Sequence, residues 1–192
     1  QMSPPRYPPE TWLAIGDIVI DPNNPDVVYV ATGDPNISWY PMLGDGLYKS
    51  TNGGATFTRI GLAEQRILTK ILLHPTDPKT FYVASMGLPF IRGKDRGLYK
   101  TTDGGNTWKQ VLFINDQAGV TDVVFDPFDP NVLYASGWDR IRTNKESVII
   151  GPGSRVYKTL DAGNTWTMVQ NGLPQIDLGR TALAISATTP GV

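Results

Sequence analysis

The chain has 192 residues, and its 20 glycines and 16 prolines exceed the average for a soluble domain, while only 18% of its residues are charged. This composition favours turns over exposed helical faces. The net charge of −1 argues against a nucleic acid partner, and no apolar run is long enough for membrane insertion. The chain has no cysteine and one histidine, which excludes disulfides and the usual metal sets, so we predict no cofactor or metal.

The predicted elements begin with a proline-rich, extended lead-in segment over residues 1–13. Four short strands rich in β-forming residues follow, roughly over 14–20, 27–32, 46–50 and 56–60. Proline, aspartate and asparagine between the first two strands predict a turn, because proline fixes φ and the acidic or amide side chains bond the local backbone. Between the last two strands, Gly53 and Gly54 predict positive φ.

This four-stranded unit is repeated along the chain. The equivalent prolines Pro22, Pro75 and Pro127 recur at intervals of 53 and 52 residues. Four-stranded sheets at such a period predict an all-β fold: a partial β-propeller with three four-stranded antiparallel blades and the first strand of a fourth. The predicted boundaries are 14–66, 67–120 and 121–180 for the blades and 181–192 for the extra strand.

Single positions within the repeat also carry a prediction. His74 stands where the other units have Asp21 and Asp126, so we expect it to cap the turn and not to act in catalysis.

Each unit ends its third strand with the pattern Ser/Thr-x-Asp-x-Gly-x-Thr-Trp, at residues 50–57, 101–108 and 159–166. This pattern is the Asp-box, and with the preceding Asp-Pro-x-x-Pro-x-x-x-Tyr the chain resembles BNR-repeat propellers of the sortilin (VPS10)-like group, which includes secreted and surface proteins of bacteria. It resembles xyloglucanase-like propellers more distantly.

The resemblance implies a structural role for the box, in which one side chain caps backbone amides and an aromatic ring packs between sheets. The first box departs from the pattern, because Asn52 replaces the aspartate and Phe57 replaces the tryptophan. One carboxylate per box is too few for calcium. The implied structural residues are the capping Asn52, Asp103 and Asp161 and the aromatic Phe57, Trp108 and Trp166.

The repeated motifs leave one end of the predicted blades variable in sequence. In a meander, the second-to-third-strand connections and the links between blades lie at the same end. Loops on a rigid scaffold usually carry binding, so we predict that this variable face binds the ligand. It comprises residues 33–45, 86–96 and 137–154 with the links 61–66, 115–120 and 171–180.

The first variable loop combines two carboxylates, Asp34 and Asp45, with the aromatic Trp39 and Tyr40. Carboxylates beside flat rings suit a sugar, whose C–H faces stack and whose hydroxyls need acceptors. The alternative is that both rings pack over the blade edge.

The third variable loop begins with the aromatic Trp138 and carries mixed charges at Asp139, Arg140 and Arg142. These residues are predicted ligand contacts, with a solvated, self-paired loop as the alternative. Three cations of the second loop are expected to be solvated or to extend a basic patch: Arg92, Lys94 and Arg96.

Two functions follow. The first is a non-catalytic extracellular or cell-surface propeller segment that binds protein or glycan, with the remaining blades of its own chain or another chain completing the ring. The alternative is part of a glycoside hydrolase acting on a β-glucan or xyloglucan-like polysaccharide. Such an enzyme needs two carboxylates across the scissile bond.

In xyloglucanase-like relatives a catalytic aspartate lies in the pattern Tyr-x-Arg-Thr-Asp-x-Gly-Gly. Asp34 lies near that position without the arginine or glycine pair, so Asp34 and Asp45 are candidates only.

Overall fold

A computed structural model describes residues 14–37, 41–174 and 176–188 of the chain. The lead-in segment, Trp39 and Tyr40 lie outside the described residues. Regular structure within the described ranges is β, apart from one short 3-10 turn at Ala63–Gln65. Three four-stranded antiparallel sheets are present, which confirms the predicted all-β blades.

Each sheet is a meander whose strands pair in chain order. The first contains β1 (Ile15–Asp21), β2 (Asn24–Thr32), β3 (Leu47–Ser50) and β4 (Thr58–Gly61). The second contains β5 (Leu68–Leu73), β6 (Phe81–Ser85), β7 (Gly97–Thr101) and β8 (Lys109–Leu112). The third begins with β9 (Ala118–Phe125) and β10 (Leu133–Asp139), is interrupted by a hairpin of β11 (Ile141–Arg142) and β12 (Ser147–Val148), and ends with β13 (Val156–Thr159) and β14 (Thr167–Met168).

Turn chemistry sets the strand ends close to their predicted positions. Strand β2 begins earlier than expected because Asp21 pairs directly with Asn24, which shortens the turn. At the other turn Gly53 and Gly54 have φ of 66° and 87°, as predicted. Ala162 occupies the position of Gly53 in the third blade and adopts φ 55°, a conformation that costs an L-residue energy.

A tyrosine and a lysine face each other across the second and third strands of every blade. The ammonium nitrogen lies over the tyrosine ring in each pair, at a distance typical of a cation–π interaction. The pairs are Lys49 on Tyr29 at 5.2 Å, Lys100 on Tyr82 at 5.3 Å and Lys158 on Tyr134 at 5.1 Å from the ring centroid. The repeated Tyr and Lys of the sequence motifs therefore stabilise the same strand pair three times.

Apolar side chains fill the space between neighbouring blades. Tyr29 of blade one contacts Phe81 of blade two with ring centroids 5.0 Å apart. Trp108 packs edge-on against Phe81 at 5.4 Å and donates its indole N–H to the carbonyl of Ile60 at 3.1 Å. Trp108 thus packs against a ring of its own blade and satisfies a backbone acceptor of the preceding one.

Residues 181–188 lie where the next blade begins, although they form no ladder within the described part of the chain. The amide of Leu183 donates to Asp122 Oδ2 at 2.9 Å. The equivalent amide of β5, that of Ile71, donates to Asp17 Oδ2 at 2.8 Å. Residues 181–188 therefore make the same blade-to-blade contact as β5, although they form no strand in the described part of the chain.

Candidate functional site

The repeated turns lie together at one end of the blades. In each blade the third-to-fourth-strand turn donates a backbone N–H to the first-to-second-strand turn. The three bonds are Gly53 to Asp26 at 2.9 Å, Gly104 to Lys79 at 2.9 Å and Ala162 to Asn131 at 2.8 Å. This end is built from recurring backbone contacts.

The variable loops lie at the opposite end and bond to the links between blades. The backbone bonds are Gly44 to Arg66 at 2.5 Å, Met86 to Ile67 at 2.9 Å and Arg140 to Gln117 at 2.9 Å. The variable sequence therefore forms a continuous face at one end of the sheets.

The repeated turns are held by their capping side chains. Asp103 Oδ1 accepts the amide of Thr107 at 2.9 Å and the hydroxyl of Thr101 at 2.8 Å, and its Oδ2 accepts the Thr107 hydroxyl at 2.6 Å. These hydrogen bonds, the Thr107 hydroxyl above all, lower the pKa of Asp103 to about 2. Asp161 makes the same set with Thr165 and Thr159, which likewise lowers its pKa to about 2.

These carboxylates predict an acid-sensitive contribution to stability. Because their folded-state pKa values lie below the unfolded value of about 3.9, their stabilisation is complete above that pH and is lost as the pH falls towards 2. We expect Asp103→Asn to reduce the dependence of the free energy of unfolding on pH in this range. Urea unfolding at a series of pH values measures it.

The first blade supplies the matched control for this titration. Asn52 already occupies the capping position and accepts the Thr56 amide at 2.9 Å without an ionisable group. Asn52→Asp should therefore add acid dependence, whereas Asp103→Asn removes it. Identical acid dependence in the wild type and both variants would contradict this assignment.

His74 caps its turn, as predicted. Its Nδ1 accepts the backbone amides of Thr76 at 3.3 Å and Asp77 at 3.1 Å. The ring also packs edge-on against Phe125, with centroids 5.6 Å apart. The histidine is therefore part of the repeated end and not of the variable face.

Asp45 is held by two partners. Its Oδ1 lies 2.7 Å from Arg59 Nη1, and its Oδ2 accepts the hydroxyl of Tyr48 at 2.9 Å. Burial and the bond to Asp45 raise the pKa of Tyr48. This carboxylate links the loop to strands β3 and β4, an arrangement that favours a structural role.

Asp34 occupies a turn directly after the end of β2. Its amide donates to the carbonyl of Met42 at 2.8 Å, and its Oδ1 accepts the amide of Asn36 at 3.0 Å. The residue is half-buried on the variable face.

The residues singled out at the end of β10 lie largely inside the protein. Trp138 is 8% exposed and donates its indole N–H to the carbonyl of Ile149 at 2.9 Å. Asp139 is fully buried, where its Oδ1 accepts Gln117 Nε2 at 2.9 Å and its Oδ2 accepts the hydroxyl of Ser154 at 3.2 Å. These two side chains connect loops to each other and offer little surface to a ligand.

The two arginines of this loop have different surroundings. Arg140 is buried, and its guanidinium donates to the carbonyls of Ile37 at 2.9 Å and Val148 at 3.1 Å. Burial lowers the pKa of Arg140. Arg142 lies on the hairpin of β11 and β12, where its Nη1 donates to Ser147 Oγ at 3.2 Å.

The expectation that Arg96 is solvated is wrong. Arg96 is completely buried, and burial lowers its pKa to about 10, so it stays charged at neutral pH. Its guanidinium donates to five backbone carbonyls: Met86 at 2.9 Å, Leu88 at 2.7 Å, Ile91 at 3.1 Å, Gln117 at 3.1 Å and Arg140 at 3.2 Å. The side chain therefore ties the second variable loop to the third blade.

A surface cleft of about 790 Å³ separates the second variable loop from the hairpin of the third. Phe90 lines it beside the polar Arg142, Asn144 and Glu146. At its rim Arg92 bonds to Glu146 at 2.7 Å, so opposite charges compensate each other there.

Two further observations concern the described ranges alone. No three His, Asp or Glu side chains in residues 14–37, 41–174 and 176–188 are grouped so that they could hold a metal ion. No helix in these ranges has the length and apolar character needed to cross a membrane.

Comparison with known proteins assigns the chain to a family. The family described as Sortilin, neurotensin receptor 3, matches residues 45–187. A xyloglucanase of Hypocrea jecorina is 28% identical to this chain, and the match covers 81% of this chain and 16% of the xyloglucanase. A probable oligoxyloglucan-reducing end-specific xyloglucanase of Neosartorya fischeri is 24% identical, and that match covers 83% of this chain and 18% of the relative. The chain thus spans less than a fifth of the length of these two relatives. The crystal structure of an ancestral GH74 enzyme shares the fold, with a TM-score of 0.60 and 24% identity over 81% of this chain and 18% of its own. The chain is a β-propeller segment related to glycoside hydrolases, and it belongs to the Sortilin-Vps10 family.

Proposed function

We propose that this chain is part of a glycoside hydrolase that cleaves a β-glucan or xyloglucan-like polysaccharide. The observation that carries the proposal is the match to xyloglucanases along more than four fifths of the chain. A binding module without catalysis, the other function considered from the sequence, is supported less well by these relatives.

Asp34 is the carboxylate that we propose for the reaction. It follows the second strand of its blade, near the position of the catalytic aspartate in the xyloglucanase-like pattern although without that pattern's arginine and glycine pair, and it is half-buried on the variable face. Partial burial suits a carboxyl group that has to exchange a proton with a glycosidic oxygen. The second carboxylate that hydrolysis requires would come from another part of the ring.

The charges of the variable face favour a neutral polysaccharide over a polyanion. Three arginine side chains on or beside this face are paired with carboxylates, so these three contribute little net positive field. The pairs are Arg59 with Asp45 at 2.7 Å, Arg92 with Glu146 at 2.7 Å and Arg155 with Asp177 at 3.4 Å. A neutral glucan, which offers hydroxyls and C–H faces, suits such a surface.

Location and assembly follow from the same proposal. A polysaccharide too large to cross a membrane is met outside the cell, so we propose an extracellular or cell-surface location. Further blades would cover the outer face of the first blade, where Ile18 is 58% exposed while the equivalent Ile71 and Val123 are 2% and 0% exposed.

A substrate panel tests the proposal. The full natural protein is incubated with xyloglucan, cellulose, mixed-linkage β-glucan and an anionic polygalacturonan, and released reducing ends and retained binding are both measured. We expect hydrolysis of xyloglucan and none of the polyanion. Binding of xyloglucan without release of reducing ends would overturn the proposal in favour of a non-catalytic glycan-binding module. If the protein neither binds nor hydrolyses any of the polysaccharides, the proposal is rejected and a protein ligand is favoured.

A further inference from the structure

The turn that carries Asp34 is anchored by a blade that is not its neighbour. Arg140 follows β10 of the third blade, and its Nη2 donates to the carbonyl of Ile37 in the first blade at 2.9 Å. Arg180, in the link after the third blade, donates from Nη1 to Asn36 Oδ1 at 2.8 Å. Two cations of the third blade therefore bind two of the three residues that follow Asp34.

Both guanidiniums are placed by the same aromatic ring. The Cζ atoms of Arg140 and Arg180 lie 5.5 and 6.0 Å from the centroid of the Trp138 ring. Because a tryptophan ring attracts cations, it fixes the direction from which both arginines reach the turn. Trp138 itself is 8% exposed and has little surface left for a ligand.

Apolar packing completes the anchor below the ring. Ile37 is 1% exposed and packs in a cluster with Ile67, Met86 and Trp138. The cluster therefore contains residues of all three blades. It seals the base of the turn from water.

The backbone of the turn is strained. Ile37 has φ of 46°, a left-handed conformation that β-branched residues rarely adopt. Such a conformation persists only where the surroundings determine it, and residues of this kind concentrate at functional sites. Here the surroundings are the Arg140 hydrogen bond and the buried cluster.

We propose that Arg140 and Arg180 are positioning residues for Asp34, which hold the Asp34 turn of blade one in its working orientation from blade three. The proposal rests on the function proposed above. Neither arginine needs to touch substrate. The turn is short, with Asn36 bonded to Asp34 Oδ1, so a shift of Asn36 or Ile37 moves the carboxylate directly.

Arg180 provides the safer variant for a test because it is exposed, whereas Arg140 is buried. In the full natural protein, Arg180→Met removes the bond to Asn36 and Arg180→Lys retains a cation able to reach it. Lys109→Met is the control, since Lys109 is an exposed cation at the start of β8, next to the repeated turn and outside the variable face. Backbone hydrogen exchange over residues 33–45 and the kinetics of xyloglucan hydrolysis are the two measurements.

For Arg180→Met we expect faster exchange in residues 33–45 and a kcat lowered roughly 10- to 100-fold with KM nearly unchanged, because misplacing a catalytic group costs turnover more than binding. Arg180→Lys should recover part of kcat, and Lys109→Met should change neither measurement. Unchanged hydrogen exchange over residues 33–45 in Arg180→Met would show that Arg180 does not hold the turn. Faster exchange together with a wild-type kcat would show that Arg180 holds the turn but does not position Asp34 for the reaction. If the wild type hydrolyses nothing, the proposed function fails and the positioning role with it, while hydrogen exchange still decides whether Arg180 holds the turn.

Discussion

Replacing Asp34 by asparagine is expected to lower kcat on xyloglucan by about 100- to 10,000-fold, because the amide can neither donate nor accept the proton that glycosidic cleavage requires. The substitution preserves shape. The Asp34 side chain accepts the Asn36 amide through one oxygen, and the asparagine oxygen can accept the same bond. Binding of the polysaccharide and thermal stability should therefore stay close to wild type.

Asp126→Asn is the control for this experiment. Asp126 also caps a turn, accepting the amide of Phe128 at 2.9 Å, but it lies at the repeated end of the blades. Its replacement should leave turnover unchanged. Wild-type turnover in Asp34→Asn would remove Asp34 from the reaction, and equal losses in both variants would indicate general damage to the fold.

The second large effect is expected at Arg96, in the free energy of unfolding. Arg96→Met removes the guanidinium donor from five buried or partly buried carbonyl groups, of which that of Gln117 keeps the Arg140 amide as a donor, and each buried acceptor left unsatisfied costs about 1–3 kcal/mol. Allowing for partial rearrangement, we expect a loss of at least about 3 kcal/mol. Urea unfolding of the wild type and the variant measures the difference.

Two further variants sharpen the test of Arg96. Arg96→Lys keeps the charge but has three donors without the planar fork, so it should recover only part of the loss. Arg92→Met removes a half-exposed arginine from the same loop and should cost no more than about 1 kcal/mol. Equal destabilisation by Arg96→Met and Arg92→Met would contradict the bonding described for Arg96.

The sequence predicts most of this fold because the repeat makes each signal recur. Proline and glycine turns locate the strands, and Ala162 adopts the left-handed φ that the glycines predict at its position. The insertion of β11 and β12 is not predictable in this way. Among the described residues it is found in the third blade alone, so no second copy reveals its pairing.

The variable face is harder to predict because side-chain environments there depend on contacts between distant loops. The sequence predicts a solvated Arg96, because the loop contains other cations. In the structure, carbonyls from three separate segments accept hydrogen bonds from its guanidinium. The sequence predicts Asp45 as a ligand-binding carboxylate beside aromatic residues. In the structure, Asp45 forms a salt bridge with Arg59 of strand β4. In both residues the partner is set by tertiary structure and not by local sequence.

The most direct measurement is the crystal structure of the full natural protein with Asp34→Asn and a bound xyloglucan oligosaccharide. Our account predicts that the residue 34 side chain contacts a glycosidic oxygen and that a second carboxyl group lies about 5–9.5 Å away across the sugar. An oligosaccharide bound away from residue 34, or a residue 34 side chain without a second carboxyl group across the cleft, would contradict it.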